Sequence, residues 1–262
     1  MLFRSACLVE KPLAPTSEES RRIARLADDH GAILQVGHTE RFNPAVRAVL
    51  AMDFQPRFME VDRVSPMTFR SLDVGAVMDM MIHDLDIVLT LARSPLVKVD
   101  AAGVAVLGKH EDVANARLVF ANGCVANLTT SRLALKTERK LRVFSEQVYV
   151  SLDYQKRTGT AIKRSDNAQA LAQVKEQLAS GADLSSVNYT GLVSVQELTM
   201  DLPPGQEDPL TAELTSFVEA VKHNRKPEVD ALAGSAAVDA AERVVEAIRS
   251  HRWEGVTADP SV

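Results

Sequence analysis

The stretch ACLVEKPLAPTSEESRRIARLADDHGAILQV, residues 6–36, decides the fold of this chain. Residues 6–9 and 32–36 are short apolar runs of the kind found in buried strands. Between them, Thr16 and Glu19 form a capping box, which predicts a helix that runs to about His30. Gly31 is well placed to end this helix, because glycine is common just past a helix C-terminus. Strand, helix and strand in this order predict a βαβ unit within a parallel sheet.

The rest of the chain predicts an open, largely antiparallel mixed sheet of five or more strands. A helix is predicted for residues 45–52, and a change to period two over 58–63 then indicates the first strand. Asn122-Gly123, between two extended runs, is a strong hairpin signal. Further strands are predicted at residues 97–107, 116–120, 125–131, 141–144, 148–154 and 193–200. Helices are predicted at residues 166–181, 210–223 and 232–251. The fold class is therefore α/β, with a βαβ piece before an α+β domain.

The composition excludes several classes of protein. Hydrophobic residues make up 46% of the 262 positions, which is enough for a sizeable core. The 30 Lys and Arg are outnumbered by 35 Asp and Glu, which argues against a nucleic-acid or anionic membrane surface. We find no apolar run near the ~20 residues of a membrane span, and no signal peptide. Two cysteines cannot build a disulfide framework or a zinc site, and both are predicted to be buried. A cytoplasmic protein is expected.

The tripeptide Glu10-Lys11-Pro12 is the first candidate site. It follows the first predicted strand, at the sheet edge where open α/β proteins bind ligands. Pro12 favours an extended conformation at Lys11, whose amine can hydrogen-bond a substrate hydroxyl. The alternative is a solvated lysine in a loop. Three residues do not decide between the two interpretations.

The second candidate is a polar stripe on the apolar helix that is predicted over residues 76–92. Asp79, His83, Asp86 and Thr90 recur at helical spacing, so they share one face. Asp79 is expected to hydrogen-bond His83 within one turn, as a general base requires. Asp84 is expected on the opposite side, where its substitution should matter least. A structural Asp–His pair is the alternative, favoured less. A metal site would need His38 as an extra ligand and is also favoured less.

The third candidate is the turn-rich crossing HTERFNP, residues 38–44, which carries His38, Arg41 and Asn43. Arg41 could bind a phosphate or carboxylate group, because its guanidinium offers paired donors. An arginine that bridges two domains is an equally good interpretation.

Taken together, the motifs VEKPLA, VGHTERFNP and DVGAVMDMMIHDLD resemble those of the Gfo/Idh/MocA family of NAD(P)-dependent sugar oxidoreductases. The resemblance covers nearly the whole chain. Within the family, GHTERFNPAV and DMMIHDLDIVL are similar to the UDP-N-acetylglucosamine 3-dehydrogenases, which serve bacterial lipopolysaccharide synthesis. The resemblance implies NAD or NADP as cofactor and a sugar or sugar nucleotide as substrate. It also implies a homodimer or homotetramer that assembles through the open sheet face.

The resemblance assigns both domains and site residues. Residues 1–37 would be the C-terminal remnant of a dinucleotide-binding Rossmann domain, and residues 38–262 a domain for substrate binding and oligomerisation. The catalytic residues would be Lys11, Asp79 and His83, with the roles of Lys11 and His83 open to exchange. The residues expected at the cofactor are Glu10, Lys11, Pro12, His38 and Arg41. Those expected at the substrate are Lys11, Arg41, Asn43, Asp79 and His83. No metal is expected.

The sequence departs from the family in its glycines. It contains no G-x-G-x-x-G, and no two glycines are separated by one residue, so the phosphate-binding turn is missing. At ~30 residues per βαβ unit, roughly 60–90 residues of the family's nucleotide-binding domain are expected to be absent. We therefore expect a truncated form that is inactive alone. The alternatives are a non-catalytic assembly module and a dehydrogenase of free sugars of the inositol or glucose type.

Overall fold

The structure is a computed structural model that describes residues 5–68, 73–165, 192–198, 200 and 208–253, with isolated positions 172, 175, 176 and 179. The helix predicted over residues 166–181 lies outside the described residues apart from these four positions. No helix among the described residues is long and apolar enough to cross a membrane.

The βαβ unit forms as the sequence predicts. Strands β1 (Cys7–Glu10) and β2 (Leu34–Gly37) pair in parallel, and helix α1 (Ser17–Asp29) connects them. Thr16 caps this helix, because its hydroxyl accepts from the backbone N–H of Glu19. The hydroxyl also donates to the Glu19 carboxylate at 3.1 Å, in place of the reciprocal backbone bond of a full capping box. Gly31 follows the helix with a φ of 56°, which explains why glycine stands there. Cys7 is exposed, contrary to the prediction, because β1 has a neighbour on only one side among the described residues.

A short crossing leads from β2 into the large sheet. A 3-10 turn, Thr39–Phe42, is followed by helix α2 (Pro44–Leu50). Asn43 begins this helix, since its side-chain oxygen accepts from the N–H of Ala45 at 3.0 Å. Phe42 is fully buried beside this junction and anchors the crossing in the core.

The large sheet has eight described strands, which are β3 (Phe58–Val64), β4 (Leu96–Val104), β5 (Val113–Phe120), β6 (Val125–Ser131), β7 (Glu138–Phe144), β8 (Val148–Asp153), β9 (Thr158–Arg164) and β10 (Val193–Glu197). Their order across the sheet is β10-β9-β8-β7-β3-β6-β5-β4. Only β3 and β6 run parallel, so the sheet is mixed and largely antiparallel, as predicted. The hairpin at Asn122-Gly123 is confirmed, with Gly123 at a φ of 83°.

Helices cover one face of this sheet and bury alternate residues of its strands. Along β3, Met59 and Val61 are buried while their neighbours are partly exposed. The elements that contact the sheet are α2, a π-helical turn (Val77–Met81), α3 (Ile82–Ala92) and α5 (Ala231–Ser250), whereas α4 (Pro209–Lys222) packs on the 3-10 turn. Helix α5 packs on α1, α3 and β4, so it joins the βαβ unit to the large sheet. Gly234 makes this possible, because a Cβ there would lie 2.5 Å from Val36 of β2.

Candidate active site

Lys11 and Asp79 bring the first two sequence motifs together. Lys11 stands directly after β1, at the carboxyl end of the parallel pair, and its peptide bond to Pro12 is cis. Its ammonium group donates to the backbone oxygen of Asp79 at 2.6 Å and to the carboxylate at 3.3 Å. Both side chains are partly exposed, at 19% and 33%. The strand edge and the polar helix therefore meet in one place, which the sequence predicted only through the family resemblance.

The predicted helix over residues 76–92 begins with a π turn, and this changes the geometry around Asp79. The N–H of Ile82 reaches back five residues to Val77, and the Glu111 carboxylate accepts from the N–H of Val77 at 3.0 Å. The expected hydrogen bond from Asp79 to His83 is not formed, because the wider turn lies between them and Asp79 binds Lys11 instead. That part of the prediction is wrong. Single π turns inside helices are frequent at functional sites.

His83 and His38 face each other inside the protein. Their ring centroids are 6.2 Å apart in an edge-on arrangement. Both ring nitrogens of His38 and Nδ1 of His83 are buried and have no hydrogen-bond partner among the described residues. Burial lowers the pKa of both imidazoles, and the positive charge of Lys11 adds to the effect on each. Both rings are therefore neutral at pH 7, so each has a lone pair that can accept a proton.

Arg41 and Asn43 have structural partners. Arg41 is 7% exposed and binds the buried Asp86 carboxylate through two nitrogens, one of them Nε at 2.8 Å. This geometry favours a structural role over a phosphate site, because the guanidinium donors are already used. Arg41 and Asp86 both lie within residues 38–262, so the pair does not bridge the two predicted domains. Asn43 caps α2 and donates to Glu40 at 3.2 Å. Thr90, the last member of the polar stripe, donates its hydroxyl to the backbone of Asp86.

A buried ion-pair network below His83 was missed by the sequence analysis. Arg63 of β3 binds Asp84 in bidentate fashion, at 2.6 and 2.9 Å, and donates to Glu40 at 3.1 Å. Arg139 of β7 also donates to Glu40, at 3.0 Å. The Asp84 carboxylate is 2% exposed and neutralises a buried arginine, so its substitution is expected to affect stability. That Asp84→Asn affects catalysis least stays a prediction. One signal was available: Arg63 stands in the buried phase of β3, two residues after Val61.

The charges in this network favour the ionised forms of Arg63 and Glu40, whereas at Asp84 burial outweighs the charge of Arg63 and raises the pKa of the carboxyl. Burial alone would lower the pKa of Arg63, but the charges of Asp84 and Glu40 outweigh it and raise the pKa above its ordinary value. Burial would likewise raise the pKa of Glu40, but Arg63 and Arg139 hold it below its ordinary range. The positive charge of Arg63 is also the second cause, after burial, of the low pKa of His83.

A cavity of about 500 Å³ opens beside His83. Its wall combines the network with polar groups from the β8–β9 turn and the start of α4, namely Arg63, Arg139, Tyr154, Arg157 and Asp208. A volume of this size lies within the range of small-molecule sites. A groove of about 640 Å³ between α1, α5 and the start of β4 contains none of the groups described above. Among the described residues, no three His, Cys, Asp or Glu side chains cluster as metal ligands.

Comparison with known proteins gives the family. Residues 45–151 match the GFO/IDH/MocA C-terminal domain. The chain is 32% identical over 245 residues to UDP-N-acetylglucosamine 3-dehydrogenase of Acidithiobacillus ferrooxidans, covering 93% of this chain and 71% of that protein. The chain belongs to the Gfo/Idh/MocA family.

Solved structures confirm the fold class of this Gfo/Idh/MocA member. The structure of the Acidithiobacillus ferrooxidans enzyme, GnnA, superposes with a TM-score of 0.78 at 31% identity, covering 93% of this chain and 71% of that one. Levoglucosan dehydrogenase in complex with NADH and levoglucosan gives 0.75 at 17% identity, covering 94% and 72%, a likeness of fold alone. The predicted membership in a family of NAD(P)-dependent sugar oxidoreductases is thereby confirmed.

Replacing Asp84 tests the network. Asp84→Asn should lower the free energy of unfolding by about 3 kcal/mol, because it leaves Arg63 with a buried charge that is only partly compensated. Asp79→Asn is the matched control on the same segment, and it should cost less than about 1 kcal/mol, since the Lys11–Asp79 pair is partly exposed. Urea unfolding followed by circular dichroism measures both. Equal small losses in the two variants would contradict the importance of the buried pair.

Proposed function

We propose that this chain carries the catalytic and substrate-binding part of a dehydrogenase that oxidises a secondary hydroxyl of a sugar nucleotide to a ketone. The substrate would be a UDP-linked amino sugar such as UDP-N-acetylglucosamine. The observation that carries the proposal is a neutral His83 in the wall of an arginine-lined cavity, near enough to Lys11 for the ammonium charge to lower the pKa of the imidazole. The name of the Acidithiobacillus ferrooxidans relative supports the choice of substrate.

Each catalytic residue has a role that its surroundings support. His83 accepts the proton of the substrate hydroxyl, because burial and nearby positive charge keep its imidazole neutral at pH 7. Lys11 donates a hydrogen bond to the same oxygen and stabilises the negative charge that develops on it. Asp79 fixes the direction of the Lys11 ammonium group through its carboxylate and its backbone oxygen. Proton acceptor and hydrogen-bond donor are thus separate groups.

The described residues fit one end of NAD or NADP. Glu10, Lys11 and Pro12 stand at the carboxyl end of β1, the edge where nicotinamide cofactors lie in open α/β sheets. We therefore keep these three as the cofactor-contacting residues, whereas His38 and Arg41 are buried and act through their neighbours. Held at this edge by Glu10, Lys11 and Pro12, NAD or NADP would supply the acceptor for the hydride of the sugar carbon. A reducing compartment such as the cytoplasm suits the two free cysteines.

We also propose that residues 1–37 belong to a nucleotide-binding unit and 38–262 to a substrate and assembly unit. The 262 residues contain no glycine-rich phosphate-binding turn, so we infer weak NAD binding and little activity for them alone. Joining them to the part of the Acidithiobacillus ferrooxidans relative that they do not match would supply that turn.

The test is the rate of NADH or NADPH formation by this fusion with UDP-N-acetylglucosamine. We expect turnover by the fusion and none by the 262 residues alone. Activity with free sugars only would support the inositol- or glucose-type alternative. A folded fusion that binds NAD but reduces it with no sugar or sugar nucleotide would support a non-catalytic module and overturn the proposal.

Variants of the fusion test the assigned roles. His83→Ala and Lys11→Ala should each lower kcat by about 10²- to 10⁴-fold, the usual cost of losing a positioned acid or base. Asp79→Asn should lower it less, because it changes orientation and not the reacting groups. NAD binding, measured by calorimetry, should survive in His83→Ala, which serves as the folding control. Wild-type kcat in His83→Ala would contradict the assignment of the base.

We propose that the outer face of the large sheet joins two copies of the chain in a homodimer or homotetramer. Phe58, Phe144 and Tyr149 form an aromatic cluster on this face, with centroid distances of 5.6 and 4.9 Å. The face also carries paired charges, including Arg142 with Glu60 at 3.0 Å. Aromatic groups within a polar rim are typical of protein interfaces.

Light scattering measures the assembly directly. We expect the wild type to be a dimer or larger, and Phe144→Arg to shift it towards monomer, because a charge replaces an aromatic ring of this cluster. Val218→Arg on α4 is the matched control, since Val218 is 46% exposed on the helical side. A wild-type monomer at about 50 μM would overturn assembly through the sheet, because stable dimers have much lower Kd values.

A further inference from the structure

Arg139 points a partly free guanidinium into the cavity beside His83. It lies on the same face of β7 as the buried Leu141 and Val143, and its side chain is 45% exposed. One nitrogen, Nη1, donates to Glu40 at 3.0 Å, and the other guanidinium nitrogens have no partner among the described residues. The Glu40 bond holds one end of the group at the cavity wall, where its free donors are available to a ligand. Such a preorganised fork matches the oxygens of phosphate.

Tyr154 supplies a second donor in the same cavity wall. Its residue is 3% exposed, and its hydroxyl is buried with no hydrogen-bond partner among the described residues. An unpartnered buried hydroxyl is unfavourable, and a bound oxygen acceptor would satisfy it. Burial and the nearby Asp84 carboxylate raise the pKa of Tyr154 well above its ordinary value, so the hydroxyl keeps its proton and donates.

The acidic groups of this wall are already occupied. Glu40 accepts from Arg63, Arg139 and Asn43. The Asp208 carboxylate accepts from the N–H of Thr211 and so begins helix α4. An anion that enters the cavity therefore meets free donors from Arg139 and Tyr154, while the carboxylates are directed to other partners.

We propose that Arg139 and Tyr154 form the subsite for the diphosphate group of a sugar nucleotide, and that they select such substrates over free sugars. This inference rests on the proposed function, because it specifies the substrate of the same cavity. A free sugar has no charge for the guanidinium to neutralise. A nucleoside diphosphate has two phosphates, whose oxygens the paired donors can share.

Titration calorimetry with UDP on the 262-residue chain tests the subsite without the cofactor. We expect the wild type to bind UDP, and Arg139→Gln and Tyr154→Phe each to weaken binding by about tenfold or more. Arg142→Gln is the matched control, because it removes the same charge from the same strand on the outer face, and it should stay within about twofold. Circular dichroism confirms that each variant is folded. Uridine should bind more weakly than UDP and should not respond to Arg139→Gln.

Three results would overturn the subsite: no UDP binding by the wild type up to about 1 mM, no effect of Arg139→Gln, or an equal effect of Arg142→Gln. The fusion enzyme separates this failure from failure of the proposed function. In the fusion, Arg139→Gln should raise the KM for UDP-N-acetylglucosamine and leave kcat nearly unchanged, since it removes binding and not chemistry. Turnover by the Arg139→Gln fusion with an unchanged KM would refute the subsite and leave the proposed function standing. If the chain binds UDP but its fusion has no activity, the proposed function is refuted and the subsite stands.

Discussion

The ion pair between Arg63 and Asp84 is the interaction on which the rest of the site depends. It ties β3 of the large sheet to α3 at the residue that follows His83. Because both side chains are buried, neither can be lost alone without leaving a charge in the protein interior. Through Glu40 the same arginine reaches Arg139, so one network sets the position of the proposed base and of the proposed phosphate ligand.

The helical segment that carries His83 collects one cation for each of its three carboxylates. Lys11 from the end of β1 binds Asp79, and Arg63 from β3 binds Asp84. Arg41 from the crossing binds Asp86. The three pairs hold the helix against three separate elements. His83 lies among these charges without an ionic partner of its own, which together with burial keeps its imidazole neutral.

Local signals in the sequence predicted the elements that local chemistry decides. The helix cap at Thr16 and the hairpin at Asn122-Gly123 both form, because each is specified within a few residues. The π turn could not be predicted in this way. It depends on Glu111, a residue 34 positions away, which accepts from Val77 at the start of the turn. The buried pair could not be predicted from local sequence either, because Arg63 and Asp84 are distant in the chain and meet only when α3 packs on the sheet. Lys11, Asp79 and His83 were assigned by resemblance to the family, and the structure brings Lys11 and Asp79 into contact.

The buried network and its neighbours hold His83 as a neutral base. An NMR titration of the histidine side chains measures this, with the spectrum of His83→Gln to identify the signal. We expect a pKa for His83 below the ordinary value of 6.5, because burial and the charges of Arg63 and Lys11 disfavour the imidazolium. A measured pKa of 6.5 or higher would contradict it.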